Sequence, residues 1–438
     1  MTSTGTGTAI GGPVVSIAGA VDPDRPSTPR PITGEAVITA PCFADRLVVV
    51  SCALHYRWKG EYHAYAPYTR EMDQWSQLFE EVIIAAPLTR MAPPGDCAPF
   101  ANANVRVVQQ RQMGGETVGA KLRQLWALPW ICRDLVRVFS QGDAIHVRCP
   151  GNLSLPALFL APIFSRKLVA KYAGQWAGYP QEPATYALQR WLLRSRWWNG
   201  PVTVYGQLPH QPPQVVPFFT SVMTAPQVDR ARVAADGRRL TQPLRLLYVG
   251  RLVATKHVDT LLRATASLAD EGVAVTATIV GDGPDRAALE ALADSLGVTP
   301  IVHFAGALPY DAVLGCYERS DVLVLVSESE GWPKAVAEAM AFGLLCVGSD
   351  HGFVAEMLGD GRGMVVPSRD VAALVSALRH ITANPDAFIE YSARAARWAQ
   401  QFSLEGLRDA LAALLLDRWS GHRVKEGAVS TTATPFRS

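Results

Sequence analysis

A regular alternation of short β-branched runs with helix-length segments is the feature of this sequence that most restricts its fold. Between Leu244 and Gly348, short apolar runs typical of buried parallel strands alternate with single helical segments. The predicted strands are Leu244–Val249, Val273–Val280, Ile301–Ala305, Val322–Val326 and Leu344–Gly348, and the predicted helices are His257–Asp270, Pro284–Leu296, Tyr310–Arg319 and Pro333–Phe342. Strands separated by single helices predict an α/β fold with a doubly wound parallel sheet.

The amino-terminal half shows the same alternation less clearly. Its predicted strands are Arg46–Cys52, Phe79–Ala86, Asp143–Val147, Lys167–Lys171 and Val202–Tyr205. A long helical segment, Gly119–Phe139, lies between the second and third of them. This half is therefore predicted to form a second α/β domain.

Composition shifts divide the chain into six parts. Residues 1–41 and 419–438 are rich in small and polar residues, and we expect flexible tails there. The predicted parts between them are an α/β domain at 42–220, a linker at 221–243, a second α/β domain at 244–384 and a helix at 385–418.

Overall composition excludes several classes of protein. The chain has 438 residues, of which 49% are hydrophobic and 18% charged, so it can form large cores. The formal net charge of +2 gives no support to nucleic-acid binding. No apolar run reaches the ~18 residues of a membrane span, and the seven cysteines form no CxxC pair. Since the amino terminus shows no signal-peptide pattern, we expect a cytoplasmic protein with reduced thiols.

Two loops that follow predicted strands carry candidate binding residues. In the first, the strand ending at Val249 leads through Gly250 to Arg251 and Lys256, ahead of a helix. Glycine permits close backbone approach, and the helix N-terminus, the arginine and the lysine all favour an anion. The sequence therefore predicts a diphosphate site here, with two solvated basic residues as the alternative.

The second loop carries two carboxylates eight residues apart. Glu330 precedes a helix that begins near Pro333, and Glu338 lies inside that helix among apolar residues. A carboxylate in apolar surroundings needs hydrogen-bond donors, which the hydroxyls of a sugar or ribose supply. The alternative is a helix N-terminal glutamate together with a buried ion pair.

Taken together, these loops resemble one family. The ordered segments VGRLVATKH, VGDGPDRAALE, HFAGALPYDAVLGCYERSDVLVLVSESEGWPKAVAEAMAFGLLCVGSD and GRGMVVP, over residues 244–385, resemble the nucleotide-sugar domain of retaining GT-B glycosyltransferases of the GT4 family. The resemblance implies two Rossmann-like domains that face each other across a cleft, an acceptor-binding domain at 42–220 and a nucleotide-sugar domain at 244–384. It also implies that the helix at 385–418 returns to the first domain.

The resemblance also implies roles for individual residues. Arg251 and Lys256 would hold the diphosphate beside Gly250, Glu338 would accept the ribose hydroxyls, and Glu330 would orient the donor sugar. The other residues implied to contact the donor are Gly331, Trp332, Lys334, Ala305 and Gly306. His257 replaces a usual glycine, and Pro333 replaces the second glycine of the family's EGFG, which removes a backbone N–H. One interpretation is that the Lys334 side chain compensates for this loss, and the alternative is that Lys334 is a surface lysine in the first turn of the helix.

The amino-terminal half departs further from the family. Many relatives have H-x-H-x-P after a middle strand, where this chain reads His146-Val147-Arg148-Cys149-Pro150. Arg148 therefore stands where the family has a histidine near the reacting carbon. We include His146 and Arg148 as candidate catalytic residues, with a structural hydrogen-bonding role for His146 as the alternative.

The resemblance implies a retaining transferase that uses a UDP- or GDP-sugar and a glycan or lipid-linked acceptor in polysaccharide or glycolipid synthesis. The D-x-D motif occurs only in the amino-terminal tail, so we expect no metal and no other cofactor. Two alternatives stay open: a nucleotide-sugar epimerase of the same architecture, and an inactive binding scaffold.

Residues 185–199 combine basic and aromatic side chains. Arg190, Arg194 and Arg196 lie beside three tryptophans, and no acid occurs between Pro183 and Val228. This composition suits a helix that lies on an anionic membrane. The alternative is a helix packed into the first domain with solvated arginines.

Overall fold

The computed structural model describes residues 43–111, 118–179, 182–206 and 209–419. The sixteen strands in these ranges are β1 (Phe43–Val50), β2 (His55–Trp58), β3 (Glu61–Tyr65), β4 (Phe79–Thr89), β5 (Cys97–Pro99), β6 (Val105–Gln110), β7 (Ala144–Cys149), β8 (Lys167–Tyr172), β9 (Val202–Val204), β10 (Val215–Pro217), β11 (Leu244–Val249), β12 (Val275–Val280), β13 (Val302–Gly306), β14 (Val322–Leu325), β15 (Leu345–Ser349) and β16 (Met364–Val366).

The helices over the same ranges are α1 (Ala66–Ser76), α2 (Val118–Phe139), α3 (Ser154–Phe164), α4 (Ala184–Arg194), α5 (Ala225–Ala235), α6 (Val258–Asp270), α7 (Arg286–Ser295), α8 (Tyr310–Arg319), α9 (Lys334–Ala341), α10 (Val354–Leu358), α11 (Val371–Ala383), α12 (Pro385–Ala399) and α13 (Leu404–Arg418). A short 3-10 helix, Ala254–Lys256, precedes α6.

The carboxy-terminal half has the doubly wound sheet that the sequence predicts. Its six parallel strands lie in the order β13-β12-β11-β14-β15-β16. The order reverses between β11 and β14, so the loops after these two strands diverge at a topological switch point, where open α/β sheets bind ligands. The two candidate loops of the sequence are the loops that follow β11 and β14.

The amino-terminal half contains a ten-stranded sheet with a parallel core. Strands β10, β9, β8, β7, β1, β4 and β6 pair in parallel, and β1 lies between β7 and β4. Strands β2, β3 and β5 extend the sheet, with antiparallel pairs on either side of β3. The sequence did not predict these three strands or α1. Here too the strand order reverses, between β1 and β7, and Arg148 lies near the carboxyl end of β7.

Helices cover both faces of this first sheet. Residues of α2, α3 and α4 form one apolar core with the sheet, and α1 packs on the opposite face through Met72 and Trp75. In α1 the residues Glu71, Asp73 and Gln74 are also buried. These buried polar side chains interrupt the apolar periodicity of α1, which explains why sequence patterning missed the helix.

Three predictions about elements are corrected. The segment 385–418 forms two helices, α12 and α13. Ser403 is the N-cap of α13, because its hydroxyl accepts a hydrogen bond from the Gly406 backbone N–H at 2.9 Å. The segment predicted as a linker contains helix α5. Trp419, predicted to begin the tail, is buried with its ring against Phe43 and Phe79. The rest of that tail, and the amino-terminal tail, lie outside the described residues.

The helix predicted at 185–199 is shorter in the structure, and one of its arginines is buried. Helix α4 ends at Arg194. Arg190 is buried, forms an ion pair with Glu182 and donates a hydrogen bond to the Tyr172 hydroxyl at 3.3 Å. Because its guanidinium already has these partners inside the first half, Arg190 cannot contribute to a membrane surface. Among the described residues, no helix has both the length and the apolar character needed to cross a bilayer.

Candidate active site

The loop after β11 is shaped by close backbone packing. A side chain at Gly281, whose φ is +134°, would overlap the Gly250 carbonyl, and one at Gly283 would overlap the Leu252 carbonyl. The Tyr248 hydroxyl donates a hydrogen bond to the Arg251 carbonyl at 3.0 Å. These contacts fix the loop while the Arg251 side chain stays exposed.

Lys256 and Glu330 are brought together across the switch point. The Lys256 ammonium lies 2.5 Å from Glu330 Oε1, and the Ser327 hydroxyl donates to the same oxygen at 2.8 Å. The predicted diphosphate lysine and the predicted sugar-orienting glutamate therefore form one ion pair. It is partly exposed, so both groups are available to a ligand.

Glu338 is buried and hydrogen-bonded by two tyrosines. The Tyr317 hydroxyl donates at 2.7 Å and the Tyr310 hydroxyl at 3.3 Å. Burial raises the pKa of Glu338 from 4.5 to about 7, although the tyrosines and Lys334 oppose this shift. The sequence identified Glu338 as shielded but did not identify its tyrosine donors, which come from α8.

His257 occupies the position where the resemblance expects glycine, and its backbone shows why. It has φ +50° and ψ +47°, the left-handed conformation that glycine adopts without steric cost. Its Nε2 lies 3.0 Å from Glu328 Oε1, within ion-pair distance if the imidazole is protonated.

A charge cluster faces this loop from the first half. The buried Glu71 carboxylate lies 2.6 Å from the Arg148 guanidinium and 2.8 Å from the Lys171 ammonium. Burial by itself would raise the pKa of Glu71, but the two cations hold it well below 4.5. Burial lowers the pKa of Lys171 to about 8, even though Glu71 opposes this.

Glu71 was not predicted as a site residue, and Lys171 was named only as the end of a predicted strand. The sequence signal for Lys171 is its place at the end of a strand in a lysine-poor chain. Nothing in the pattern around Glu71 distinguishes it from a surface glutamate.

Lys334 lies between the two groups of charges. Its ammonium makes no hydrogen bond or ion pair with any described residue, and it interacts electrostatically with Glu71, Arg148 and Glu338. Burial lowers the pKa of Lys334. A cation without a partner at the start of α9 is suited to an anionic ligand.

The halves touch around this cleft. The Arg70 guanidinium lies 3.8 Å from the centre of the Tyr310 ring, and a side chain at Gly331 would overlap the Ala173 carbonyl. These contacts bring the Glu71 cluster and the Glu330 loop to opposite walls of one cleft.

Two predicted site residues do not reach the cleft. His146 is fully buried, its ring stacks on Trp75 at 4.3 Å, and neither ring nitrogen has a partner among the described residues. Burial lowers the pKa of His146 well below 6.5. A catalytic acid or base must reach substrate, so this placement contradicts a catalytic role and makes His146 a core residue.

The Trp332 side chain likewise does not reach the cleft. Its ring packs among Tyr205, Phe353, Trp398 and Phe402. Trp332 thus joins the two halves through an aromatic cluster, and only its backbone remains available to a nucleotide sugar.

Ala305 and Gly306 form the end of β13. The Gly306 carbonyl accepts a hydrogen bond from the Gly281 N–H at 2.8 Å, and Gly306 has φ +71°. Both residues are only partly buried. They lie next to the Gly250 loop through Gly281.

Comparison with known proteins relates the carboxy-terminal half to one protein family. Residues 230–401 match the family model described as glycosyl transferases group 1. A relative from Salmonella typhimurium, named as a colanic acid biosynthesis glycosyltransferase, is 30% identical over 202 residues, which are 42% of this chain and 50% of the relative. The first curated relatives are matched over 48 to 63% of their own lengths.

Solved structures resemble a larger part of the chain. Sucrose-phosphate synthase from Thermosynechococcus elongatus is similar over 86% of this chain and 100% of that chain, with a TM-score of 0.63 and 18% identity. HepE of Anabaena, determined with UDP and glucose, is similar over 84% of this chain and 98% of that chain, with a TM-score of 0.59 and 16% identity. The chain therefore has the GT-B fold, and its residues 230–401 match the glycosyl transferases group 1 family model.

Proposed function

We propose that this protein is a retaining glycosyltransferase that moves a hexosyl group from a nucleotide-diphosphate sugar to a hydroxyl acceptor. The observation that carries the proposal is the grouping of Arg251, Lys256, Glu330 and Glu338 at the switch point of the second sheet, opposite the Arg148 cluster. The similarity to a protein determined with UDP and glucose supports a UDP-sugar, with a GDP-sugar as the other expected donor.

In this proposal each residue at the cleft has a defined task. The diphosphate is bound by Arg251, Lys256 and Lys334. The Glu338 carboxylate accepts hydrogen bonds from the ribose hydroxyls, and the Glu330 carboxylate orients the sugar. The acceptor oxygen forms a bond to the anomeric carbon as the bond from that carbon to the leaving phosphate breaks on the same face. The acceptor proton passes to the leaving phosphate, whose charge the three cations stabilise.

Arg148 has a supporting role in this scheme. Arg148 cannot act as a base, because a guanidinium stays protonated and has no acceptor atom, and here it is bound to Glu71. Together with Lys171 it adds positive charge to the wall opposite the donor. We propose that this charge helps hold the leaving diphosphate, and that the enzyme works without a metal ion at cytoplasmic pH.

The expected acceptor is a glycan or a lipid-linked saccharide of a polysaccharide or glycolipid pathway. This proposal is supported by the relative named for colanic acid biosynthesis. The donor and the linkage are to be identified by experiment.

The test is a transfer assay with UDP- and GDP-sugars, an acceptor panel and chelator. We expect release of nucleoside diphosphate that depends on acceptor and persists with EDTA, and an anomeric product configuration equal to that of the donor. Replacement of Arg251 or Lys256 by Ala should lower donor affinity or turnover by roughly ten- to a hundredfold, because each substitution removes a contact worth ~1.5–3 kcal/mol.

Other results would contradict the proposal. Conversion of the donor without acceptor would identify an epimerase, and nucleotide binding without turnover across the panel would identify a binding scaffold. Loss of all activity with EDTA would contradict only the proposal that the enzyme needs no metal ion.

A further inference from the structure

The outer surface of α2, α3 and α4 is apolar where a surface helix is normally polar. The three helices lie in a row on one face of the first sheet, since α3 contacts both α2 and α4. Each buries one side against the sheet. On the opposite side, exposed large apolar side chains occur at Trp126, Trp130, Phe159, Ile163, Trp191 and Trp197. We call this surface, on the described part of the three helices, the aromatic face.

The exposure on this face is extensive and regularly spaced. The exposed fractions are 78% for Trp126, 66% for Ile163 and 63% for Trp191. Trp126 and Trp130 are four residues apart, as are Phe159 and Ile163, so each pair shares one stripe of its helix. The indole N–H of Trp197 donates to the Leu158 carbonyl at 3.0 Å and so anchors the end of α4 to α3. Contiguous exposed apolar surface of this kind marks an interaction site.

Arginines continue the apolar stripes towards one edge of the face. Arg137 follows Trp126 and Trp130 along α2, Arg166 follows Ile163 just beyond α3, and Arg194 and Arg196 follow Trp191. All four are exposed. Since the three helices each connect parallel strands, they run in the same direction, and their arginine ends lie at the same edge.

The charge of this region is strongly asymmetric. Between Ala144 and Val228 the sequence has seven basic residues and one acid, Glu182. Four of the seven basic residues are paired with acids: Arg190 with Glu182, Lys167 with Asp45, and Arg148 and Lys171 with Glu71. The exposed positive charge is that of Arg166, Arg194 and Arg196. On the described part of α2, Asp134 is an acid within reach of Arg111, Arg133 and Arg137 and offsets part of their charge.

We propose that the aromatic face docks on an anionic lipid bilayer. Tryptophan is well suited to the boundary between water and lipid because its ring is apolar and its N–H is polar. The arginine edge complements anionic headgroups.

This surface deepens the proposed function, on which it rests only for its purpose, which is to bring the enzyme to the membrane that holds a lipid-linked acceptor. It also replaces the single helix at 185–199 as the membrane contact, because Arg190 is buried while α2 and α3 supply most of the exposed rings.

The experiment is cosedimentation of the full chain with vesicles of phosphatidylcholine, with or without phosphatidylglycerol, without nucleotide or acceptor. We expect binding only to the anionic vesicles, and release at high salt. An Arg137/Arg166/Arg196→Gln triple variant should bind about a hundredfold more weakly, at roughly fivefold per arginine. Arg194 is left unchanged because its guanidinium packs on the Trp176 ring. The matched control is Arg239/Arg263/Arg397→Gln, exposed arginines of the second half, which should bind as wild type does.

A second pair of variants tests the apolar component. Trp126/Ile163/Trp191→Ser should lower vesicle binding at least tenfold, and the control Met91/Val233/Val365→Ser, also exposed, should not. Lipids brominated near the headgroups should quench tryptophan fluorescence in wild type and less in the first triple variant.

Absence of binding to anionic vesicles at low salt would overturn the inference, as would binding that neither triple variant weakens. Dimerisation that the Trp126/Ile163/Trp191→Ser variant abolishes would assign the face to a second copy instead. Nucleotide titrations of the same variants distinguish the proposed membrane surface from the proposed function. Normal donor turnover without vesicle binding overturns the surface alone, and vesicle binding without donor binding overturns the proposed function alone.

Discussion

At the scale of single residues, the site is built from charges whose partners lie on distant elements. Sequence patterning identified Arg251, Lys256, Glu330 and Glu338, because each follows a predicted strand or interrupts an apolar helix. It could not identify Glu71, whose partners Arg148 and Lys171 lie 77 and 100 positions further along the chain. It also assigned chemistry to His146, because a strand-end histidine in sequence gives no sign of whether its ring faces the core or the cleft.

His257 gives a direct test of backbone strain at the site. The left-handed conformation costs a side-chain-bearing residue roughly 1–2 kcal/mol, whereas glycine adopts it freely. We therefore expect His257→Ala to be less stable than His257→Gly by about 1 kcal/mol in urea unfolding, although both lose the contact with Glu328. Equal stability of the two variants would show that this backbone conformation is not strained.

Glu338 should make stability depend on pH in a defined direction. Its pKa is about 7 in the folded protein against 4.5 unfolded, so between these values the native state holds a proton that the unfolded state has released. The contribution of this group to the free energy of unfolding therefore falls by about 3 kcal/mol as the pH rises from 4.5 to 7.

The measurement is unfolding of wild type and Glu338→Gln at pH 5 and pH 7. We expect the difference in unfolding free energy between the two proteins to shift in favour of the Gln variant at pH 7. Other titrating groups are common to both proteins and cancel in this comparison. A difference that does not change with pH would mean that the folded carboxyl titrates normally.

At the scale of elements, the second half was predictable and the first was less so. Strand β11 and helix α8 coincide with the predicted segments, because β-branched runs and single crossover helices repeat there without interruption. The first half adds short antiparallel strands with little apolar character, such as β2 and β3. Their pairing depends on contacts between strands, which a single segment of sequence does not reveal.

The ion cluster that α1 forms with β7 and β8 should be important for stability. Glu71→Gln leaves the Arg148 and Lys171 charges buried without their carboxylate, which typically costs 3–5 kcal/mol. The control is Glu81→Gln, which removes a half-exposed pair with Arg106 and should cost at most about 1 kcal/mol. Denaturant unfolding of both variants measures the contrast, and similar small losses would show that the buried cluster does not need Glu71.

At the scale of the whole molecule, the two halves are joined at more than one place. Trp332 packs against Tyr205 near the cleft, and α13 returns to pack on α1. The Trp419 ring lies against Phe43 and Phe79, and its N–H donates to the Leu168 carbonyl at 3.2 Å. The carboxy-terminal segment is thus part of the first half's core, although it follows the second half in sequence.

The central claim is that the cleft binds a nucleoside diphosphate through Arg251, Lys256 and Glu338, and calorimetric titration tests it most directly. UDP and GDP would be titrated into wild type and into Lys256→Ala, with Arg239→Ala, an exposed arginine outside the cleft, as the matched control. The account predicts binding of at least one nucleotide to wild type and to the control, weakened roughly ten- to a hundredfold by Lys256→Ala. Binding of neither nucleotide, or equal affinity in all three proteins, would contradict it.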